Sequence, residues 1–206
     1  MEFSLTNQTV QNFDGDCAVL FAFLDKSNDD QAIQALINLN HFKAKVGKKL
    51  SLNFVDGFKV SRVIVLGLGE AELSAKNYAK ALISLTDTLE GEKVKSALIE
   101  EVNVDGYDQS WVHKTTARVM QNSIYQIEKV GTDGVEESSI ENIAIQSNSD
   151  NAYELLQGQA VAVGMALTRH LGDLPSNVCT PTYLADTAQS LAKEFDLDCE
   201  VLEESN

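Results

Sequence analysis

Apolar residues in the first 150 positions are grouped into short blocks that predict strands alternating with helices. Two blocks, Cys17–Leu24 and Val63–Leu66, are continuously apolar, which is typical of strands covered on both faces. Leu50, Leu52 and Phe54 alternate with polar residues and predict a half-exposed strand. Two further strands are predicted near Ala97–Val102 and Ile140–Ile145.

Helical spacing of apolar residues predicts the segments between these strands. Residues 27–30 offer capping oxygens for a first helix. The two longer helices, at about 74–89 and 110–128, have as their apolar stripes Tyr78, Leu82, Leu85 and Leu89, and Ala117, Met120, Ile124 and Ile127. Polar residues 131–139 predict a loop. Because parallel neighbours need crossover connections, residues 1–150 are predicted to form an α/β domain with a mostly parallel sheet flanked by helices.

The last 55 or so positions follow a different pattern, with two helices and little else. A long helix is predicted from about 152 to 171, ending at Gly172, and Thr180-Pro181 predicts the start of another helix. The inward stripes predicted for the two helices are Leu156, Ala160, Val163, Leu167 and Leu171, and Leu184, Ala188, Leu191 and Phe195. Asp198–Leu202 reads as a strand with no remaining partner, so we expect a piece of a longer protein.

The charge balance argues against a nucleic-acid partner. The 206 residues include 31 acidic and 16 basic side chains, a formal net charge of −15, which repels a phosphate backbone. The densest basic stretch, Lys43–Lys49, is interpreted as a solvated turn. There is no apolar run long enough to span a bilayer and no signal-peptide pattern at the start, so we expect a cytoplasmic protein without membrane contact.

The three cysteines, Cys17, Cys179 and Cys199, are an odd number and far apart. Small secreted scaffolds carry paired, closely spaced cysteines, so these are interpreted as reduced and mainly buried thiols. Cys179 has no charge or metal ligand beside it in sequence to activate it.

Glycines after the second apolar strand invite comparison with dinucleotide-binding loops. Gly67-Leu68-Gly69 lacks the third glycine of that fingerprint, because Glu72 stands there and its carboxylate would repel a phosphate. Asp87 and Glu90 fall at the end of a helix, whereas the ribose-binding acid of that fold ends a strand. We interpret the glycines as a turn after a buried strand.

No other pattern in the sequence predicts a reactive centre. His41, His113 and His170 are isolated from other metal ligands and are interpreted as surface or boundary residues. The segment 14–16 lacks the remaining ligands of a calcium loop, and no Gly-x-Ser-x-Gly elbow is present. The paired carboxylates are interpreted as solvated: Glu136-Glu137 and Glu203-Glu204.

The segment 168–185, Thr-Arg-His-Leu-Gly-Asp-Leu-Pro-Ser-Asn-Val-Cys-Thr-Pro-Thr-Tyr-Leu-Ala, resembles the interdomain linker of the leucyl (cytosol) aminopeptidase family. In that family a long helix ends in a loop similar to Asn-x-Pro-Pro-Asn, and a helix beginning Thr-Pro-x-Tyr-Leu-Ala follows. The order of upstream elements is similar too, so the resemblance spans essentially the whole chain. Ser176 replaces the usual second proline and Asp173 the usual asparagine; both differences concern the rigidity of the loop.

The resemblance implies a macro-like N-terminal domain at 1–150, a linker helix and loop at 151–178, and the truncated beginning of a metallo-aminopeptidase domain at 179–206. Family members remove N-terminal residues, often leucine, from peptides with two divalent metals, zinc or manganese, and they assemble as hexamers. Their metal-binding lysine, aspartates and glutamate lie in the catalytic domain, and no position of this chain matches them. We therefore expect no catalytic, cofactor-binding or metal-binding residue here.

The resemblance thus implies a non-catalytic N-terminal region, inactive alone, that contacts its own catalytic domain and other copies and shapes access of peptides to the active site. Two alternatives remain. True macrodomains bind ADP-ribose, although this chain supplies little of their glycine-rich loops beyond Gly67 and Gly69. Some relatives have a DNA-associated accessory role, which the acidic balance opposes.

Overall fold

In the part of the chain that the structure describes, the central sheet has six strands with helices on both faces. The computed structural model describes residues 1–126, 138–149 and 151–202. The elements in chain order are β1 (Glu2–Thr6), β2 (Cys17–Phe23), α1 (Gln31–Leu39), β3 (Lys49–Asn53), β4 (Arg62–Gly69), α2 (Ala75–Gly91), β5 (Ser96–Ile99), α3 (Gln109–Ser123), β6 (Asn142–Gln146), α4 (Tyr153–Asp173) and α5 (Pro181–Phe195).

The strands lie in the order β1-β6-β5-β2-β4-β3. Every described pair is parallel except β3 with β4, which is antiparallel. Antiparallel β3 alternates half-buried and exposed residues, as an edge strand does when only one face is covered. The prediction of a mixed, mostly parallel sheet flanked by helices is confirmed.

The continuous apolar run of β2 contributes to two cores, because successive side chains of a strand point to opposite faces. Cys17, Val19 and Phe21 pack in the larger core, which includes the buried faces of α2 and α3. The intervening Ala18 and Leu20 pack in a second core with residues of α1 on the opposite face. A strand covered on both sides has no polar face, which explains its uninterrupted hydrophobicity.

Side-chain caps begin four of the five described helices. Asp30, Ser74, Asp108 and Thr180 each accept a hydrogen bond from a backbone N–H in the first turn of α1, α2, α3 and α5. These contacts satisfy donors that have no partner inside the helix. Thr180 followed by Pro181 starts α5 as the sequence predicts.

The structure corrects several element predictions. The sequence does not predict strand β1, because five residues of alternating exposure are a weak signal and its partner β6 is more than 130 positions away. Residues 198–202 were predicted to be a strand but have no strand structure. Helix α3 ends at Ser123 rather than near 128, and α4 continues through Gly172. The predicted loop at 131–139 lies mainly outside the described residues, and the stripe residue Ile127 lies wholly outside them.

Candidate functional site

A crevice of about 560 Å³ opens at the carboxyl ends of β2 and β5. The chain leaves β2 toward β4 on one side and leaves β5 toward β6 on the other, so this is the point where the sheet changes winding direction. Open α/β sheets commonly bind ligands at such a point. Prominent residues of the crevice wall are Phe21, Asn28, Asp30, Glu100, Asn103 and Gln146.

Glu100 closes the inner end of this crevice. Strand β5 pairs with β2 only as far as Val19, so the N–H of Phe21 has no strand partner on that side. The Glu100 carboxylate accepts this hydrogen bond at 2.9 Å. Burial is the main cause that raises the pKa of Glu100; the bond from Phe21 opposes the rise, and the nearby Asp29 and Asp30 add to it. Glu100 therefore completes the sheet at some electrostatic cost.

The loop before α1 also lines the crevice, and its polar side chains hydrogen-bond to the backbone of α1 and β2. Asp30 accepts from the N–H groups of Ala32 and Ile33 at 2.9 and 3.2 Å. Asn28 donates from its amide to the carbonyl of Phe21 at 3.2 Å. A helix N-terminus can bind an anion when its N–H groups are free, but here the side chain of the chain's own aspartate engages them.

The charges around the crevice are mostly negative. Five acidic side chains and one lysine contribute to its lining: Asp29, Asp30, Glu100, Glu101, Asp105 and Lys26. Carboxylates at this density repel phosphate groups. The crevice therefore gives no support to the alternative that the chain binds ADP-ribose, a diphosphate.

Gly67 and Gly69 lie in β4 itself, where they admit a closely packed loop. A Cβ at Gly67 would overlap the carbonyl oxygen of Lys45 and the backbone of Ala44, and Gly69 has a φ of +88°. The loop hydrogen-bonds to the strand here, from Gly69 N–H to the Ala44 oxygen at 2.9 Å. The expected turn after β4 is thus a continuation of the strand, and close backbone approach explains the glycines.

His113 differs most from its prediction among the histidines. The sequence placed all three at the surface or its boundary, but His113 on α3 is only 3% exposed. Its Nε2 has no hydrogen-bonding partner among the described residues. His41 is exposed and His170 is half-buried. No group of three or more histidine, cysteine, aspartate or glutamate side chains in the described parts of the chain is arranged to hold a metal ion.

The free cysteines occupy three different environments. Cys17 is fully buried in β2, and burial raises the pKa of its thiol to about 12. Cys179 is half-buried and Cys199 is exposed, so the expectation of mainly buried thiols is wrong for Cys199.

One acidic residue of the segment 14–16 has a structural contact. Asp16 accepts hydrogen bonds from the backbone N–H groups of Lys95 and Ser96 at 3.0 and 2.9 Å, which joins the start of β2 to that of β5. The pairs Glu136-Glu137 and Glu203-Glu204 lie outside the described residues.

Helices α4 and α5 expose apolar side chains that the sequence predicted to face inward. Leu156 and Val163 of α4 are 63% and 62% exposed, and no residue of α5 is buried. We call the linker face the exposed large apolar residues of this region, which are Tyr153, Leu156, Val161, Val163, Leu184, Phe195, Leu197 and Leu202. The prediction that this stripe faces inward is therefore wrong for Leu156 and Val163, which the described part of the chain does not cover.

The opposite side of α4 packs tightly on α3. Leu155, Gly158 and Ala162 are its buried residues, and a Cβ at Gly158 would overlap the Lys114 carbonyl oxygen on α3. Near the far end, Arg169 lies 4.2 Å from the ring centre of Tyr125, whose hydroxyl donates to Asp173 at 2.8 Å. One side of the first three turns of α4 thus packs against the α/β domain, while the opposite side of the helix stays exposed.

Among the described helices, none combines the length and the apolar character needed to cross a bilayer.

Sequence comparison identifies relatives along nearly the whole chain. Residues 10–133 match the profile described as the N-terminal domain of the cytosol aminopeptidase family. A protein of Vesicomyosocius okutanii subsp. Calyptogena okutanii (strain HA), named probable cytosol aminopeptidase, is 53% identical over 204 residues, which are 99% of this chain and 43% of that protein. One of Azoarcus sp. (strain BH72) with the same name is 36% identical over 89% of this chain and 38% of that protein.

Solved structures share the fold. A mutant of tomato leucine aminopeptidase matches with a TM-score of 0.74 at 17% identity, over 95% of this chain and 43% of that chain. The bottromycin maturation enzyme BotP in complex with Mn matches with a TM-score of 0.74 at 18% identity, over 93% of this chain and 39% of that chain. This chain therefore spans less than half the length of these relatives and structural neighbours.

Proposed function

Because this chain belongs to the cytosol aminopeptidase family and matches its N-terminal domain, we propose that it is the non-catalytic N-terminal region of a cytoplasmic leucyl aminopeptidase. The complete protein would remove N-terminal residues, preferably leucine, from peptides. The present chain would position and partly shield the catalytic domain rather than perform the chemistry.

The linker face is the observation that carries this proposal. Large apolar side chains on two consecutive helices are exposed, and larger exposed apolar patches mark interaction sites. Helix α5 is well formed and capped at Thr180, yet it buries none of its residues. Short helices gain most of their stability from packing an apolar face. A catalytic domain continuing from residue 179 would provide the missing partner for α5 and for the exposed side of α4.

This packing supports the proposed division of the chain. Residues 1–150 would be the macro-like domain, 151–178 the linker helix and loop, and 179–206 the beginning of the catalytic domain. The buried residues of α4 tie the linker to the first domain, whereas its exposed stripe would face the second. Assembly of the complete protein as a hexamer belongs to the same proposal.

The proposal assigns metal chemistry to the catalytic domain. Two divalent ions, manganese or zinc, would activate a water molecule and polarise the scissile carbonyl there. The manganese in the BotP complex is consistent with this assignment. The described residues of this chain would contribute no ligand.

A chimera tests the proposal directly. The 206 residues would be fused to the remaining C-terminal portion of the Vesicomyosocius okutanii relative, which is 53% identical over the shared part. We expect the chimera, but not the 206-residue chain, to hydrolyse leucine p-nitroanilide with added Mn²⁺. Turnover by the short chain, or a folded chimera without turnover, would contradict the proposal.

Substitutions on the linker face test whether the catalytic domain docks on this face or is only joined to it through the chain. Leu156→Lys combined with Val163→Lys places two charges on the exposed stripe of α4 and should reduce the activity or assembly of the chimera. Phe54→Lys, at a residue 85% exposed in the loop after β3, is the matched control and should leave both unchanged. Equal effects of the two variants would rule out the linker face as the docking surface.

A further inference from the structure

His113 is a buried titratable group for which the proposed function has no use. It lies on α3, is 3% exposed, and its Nε2 has no partner among the described residues. One turn earlier, Gln109 donates from its amide to the Val102 carbonyl at 3.1 Å, but its own Oε1 is likewise buried without a partner. Unpartnered buried polar atoms are uncommon in folded proteins and call for a reason.

The position of His113 places it beside the contact between α3 and α4. The same helix contacts α4 through Ser110, which lies 3.5 Å from Glu154, and through Lys114, which donates to Gln157 at 3.1 Å. Ala117, one turn after His113, packs with Leu155 of α4. His113 therefore lies on the part of α3 that carries the first turns of α4.

The start of α4 is the least firmly capped of the described helix starts. Its N-cap residue, Ala152, has no side-chain acceptor, and only Asn151, one residue earlier, accepts from the N–H of Tyr153 at 3.1 Å. The first turn is held mainly by Leu155, which is 1% exposed in a small cluster with Ala117 and Ile145. A helix start of this kind opens at low free-energy cost once its packing is disturbed.

We propose that His113 makes the contact between α3 and α4, which we call the seam, sensitive to protonation. The seam is closed while the imidazole is neutral, and it loosens at the first turns of α4 when the imidazole gains a proton. An imidazolium has two N–H donors, and a buried donor without an acceptor is costly. The negative groups whose charges act on the imidazole are Glu101, after β5, and Glu154, in the first turn of α4. Either hydration or a move toward these carboxylates requires the seam to open.

The direction of the pH effect follows from the environment of the imidazole. Burial lowers the pKa of His113, and Glu101 and Glu154 only partly oppose this. In the interval between the lowered pKa and the ordinary value for histidine, the open state binds more protons than the closed state. The seam therefore loses stability as the pH falls through this interval and keeps it above the ordinary histidine pKa.

Nuclear magnetic resonance and hydrogen exchange on the 206-residue chain test the seam. His113 should titrate below the ordinary pKa of histidine, with His41→Gln and His170→Gln used to assign the signals. Between pH 7.5 and pH 5, the opening equilibrium of amides 154–158, corrected for intrinsic exchange rates, should increase several-fold more in the unmodified chain than in His113→Gln. His41→Gln should behave like the unmodified chain.

Two results would overturn the proposal. One is a titration of His113 at or above the ordinary pKa of histidine. The other is an equal response of amides 154–158 in the unmodified chain and His113→Gln. If His113→Gln does not fold, the unmodified chain still decides: opening at 154–158 must follow the titration curve of His113, and opening that does not follow it refutes the seam.

Discussion

At the scale of single residues, acidic side chains in this protein accept hydrogen bonds from backbone N–H groups that have no partner strand at the ends of β-strands. Glu100 accepts from Phe21 beyond the end of β5, and Asp16 joins the starts of β2 and β5. Glu90 accepts from Ser138 and Ser139 just before β6. Partial burial acts to raise the pKa of Glu90, but these hydrogen bonds outweigh it and keep that pKa below its ordinary value.

Glu100→Gln tests whether the negative charge at the crevice is needed. The amide oxygen can still accept from Phe21, and the unfavourable burial of a charge is removed, so the free energy of unfolding at pH 7 should rise by up to about 1 kcal/mol. Folding raises the pKa of Glu100, so its ionisation weakens the fold as the pH rises from the ordinary glutamate pKa through the folded one. The advantage of glutamine should therefore disappear in acid.

Urea unfolding at pH 7 and at pH 4 measures this difference. Glu101→Gln, at the adjacent exposed position, is the control and should change stability by less than about 0.5 kcal/mol. A loss of stability in Glu100→Gln at pH 7 would mean that the charge-assisted hydrogen bond outweighs the cost of burying the charge.

At the scale of secondary-structure elements, the close approach of α3 and α4 organises the second half of the chain. Gly158 permits this approach, since its missing side chain leaves room for Lys114 and Ala117 of α3. Lys114 and Gln157 hydrogen-bond next to it, and Arg169 and Tyr125 connect the helices further on. Contacts with α3 and with Tyr125 therefore fix the position of α4.

Gly158→Ala should separate α3 from α4 and destabilise the chain. Overpacking against backbone costs about 1–3 kcal/mol, which exceeds the roughly 1 kcal/mol that alanine gains over glycine in a helix. Gly164→Ala is a matched control on the same helix, because a Cβ there meets nothing within 4 Å. It should be neutral or stabilising in thermal or urea unfolding. An equal gain in both variants would contradict the tight crossing.

At the scale of the whole molecule, the chain combines a well-packed α/β domain with two helices, α4 and α5, that expose large apolar side chains. The sheet is covered on both faces, with two cores divided by β2. Helix α4 packs on this domain through Leu155 and Ala162, whereas no residue of α5 is fully buried. The buried residues of this chain therefore lie in the α/β domain and on one side of α4.

Truncation should reveal this division. A chain ending at residue 175 loses α5 but no buried side chain of the domain, so its thermal midpoint should match that of the 206-residue chain. A chain ending at residue 151 also loses Leu155 and should be destabilised by more than about 2 kcal/mol, the contribution of one fully buried leucine. Differential scanning calorimetry compares the three chains. Equal destabilisation by both truncations would place α5 within the domain.

The sequence by itself determined the class of fold and the family resemblance. Cys17–Leu24 is apolar throughout because both faces of β2 are covered, and the Thr180-Pro181 start of α5 depends only on local capping. Such signals arise from neighbouring residues, so they can be recognised without the tertiary structure. Residues 168–185 likewise carried the resemblance to the aminopeptidase family within one continuous segment.

Only the tertiary structure decided what depends on distant residues. Strand β1 exists because β6 pairs with it, and Glu100 becomes part of a crevice because β5 ends two residues before Phe21 on β2. An acid directly after a buried strand was the one available signal for Glu100, and extending β5 to Val102 concealed it. The sequence predicts the apolar stripe of α4, but the direction that this stripe faces depends on how Gly158 packs against α3. Periodicity identifies an apolar face, whereas its partner is determined by packing across the chain.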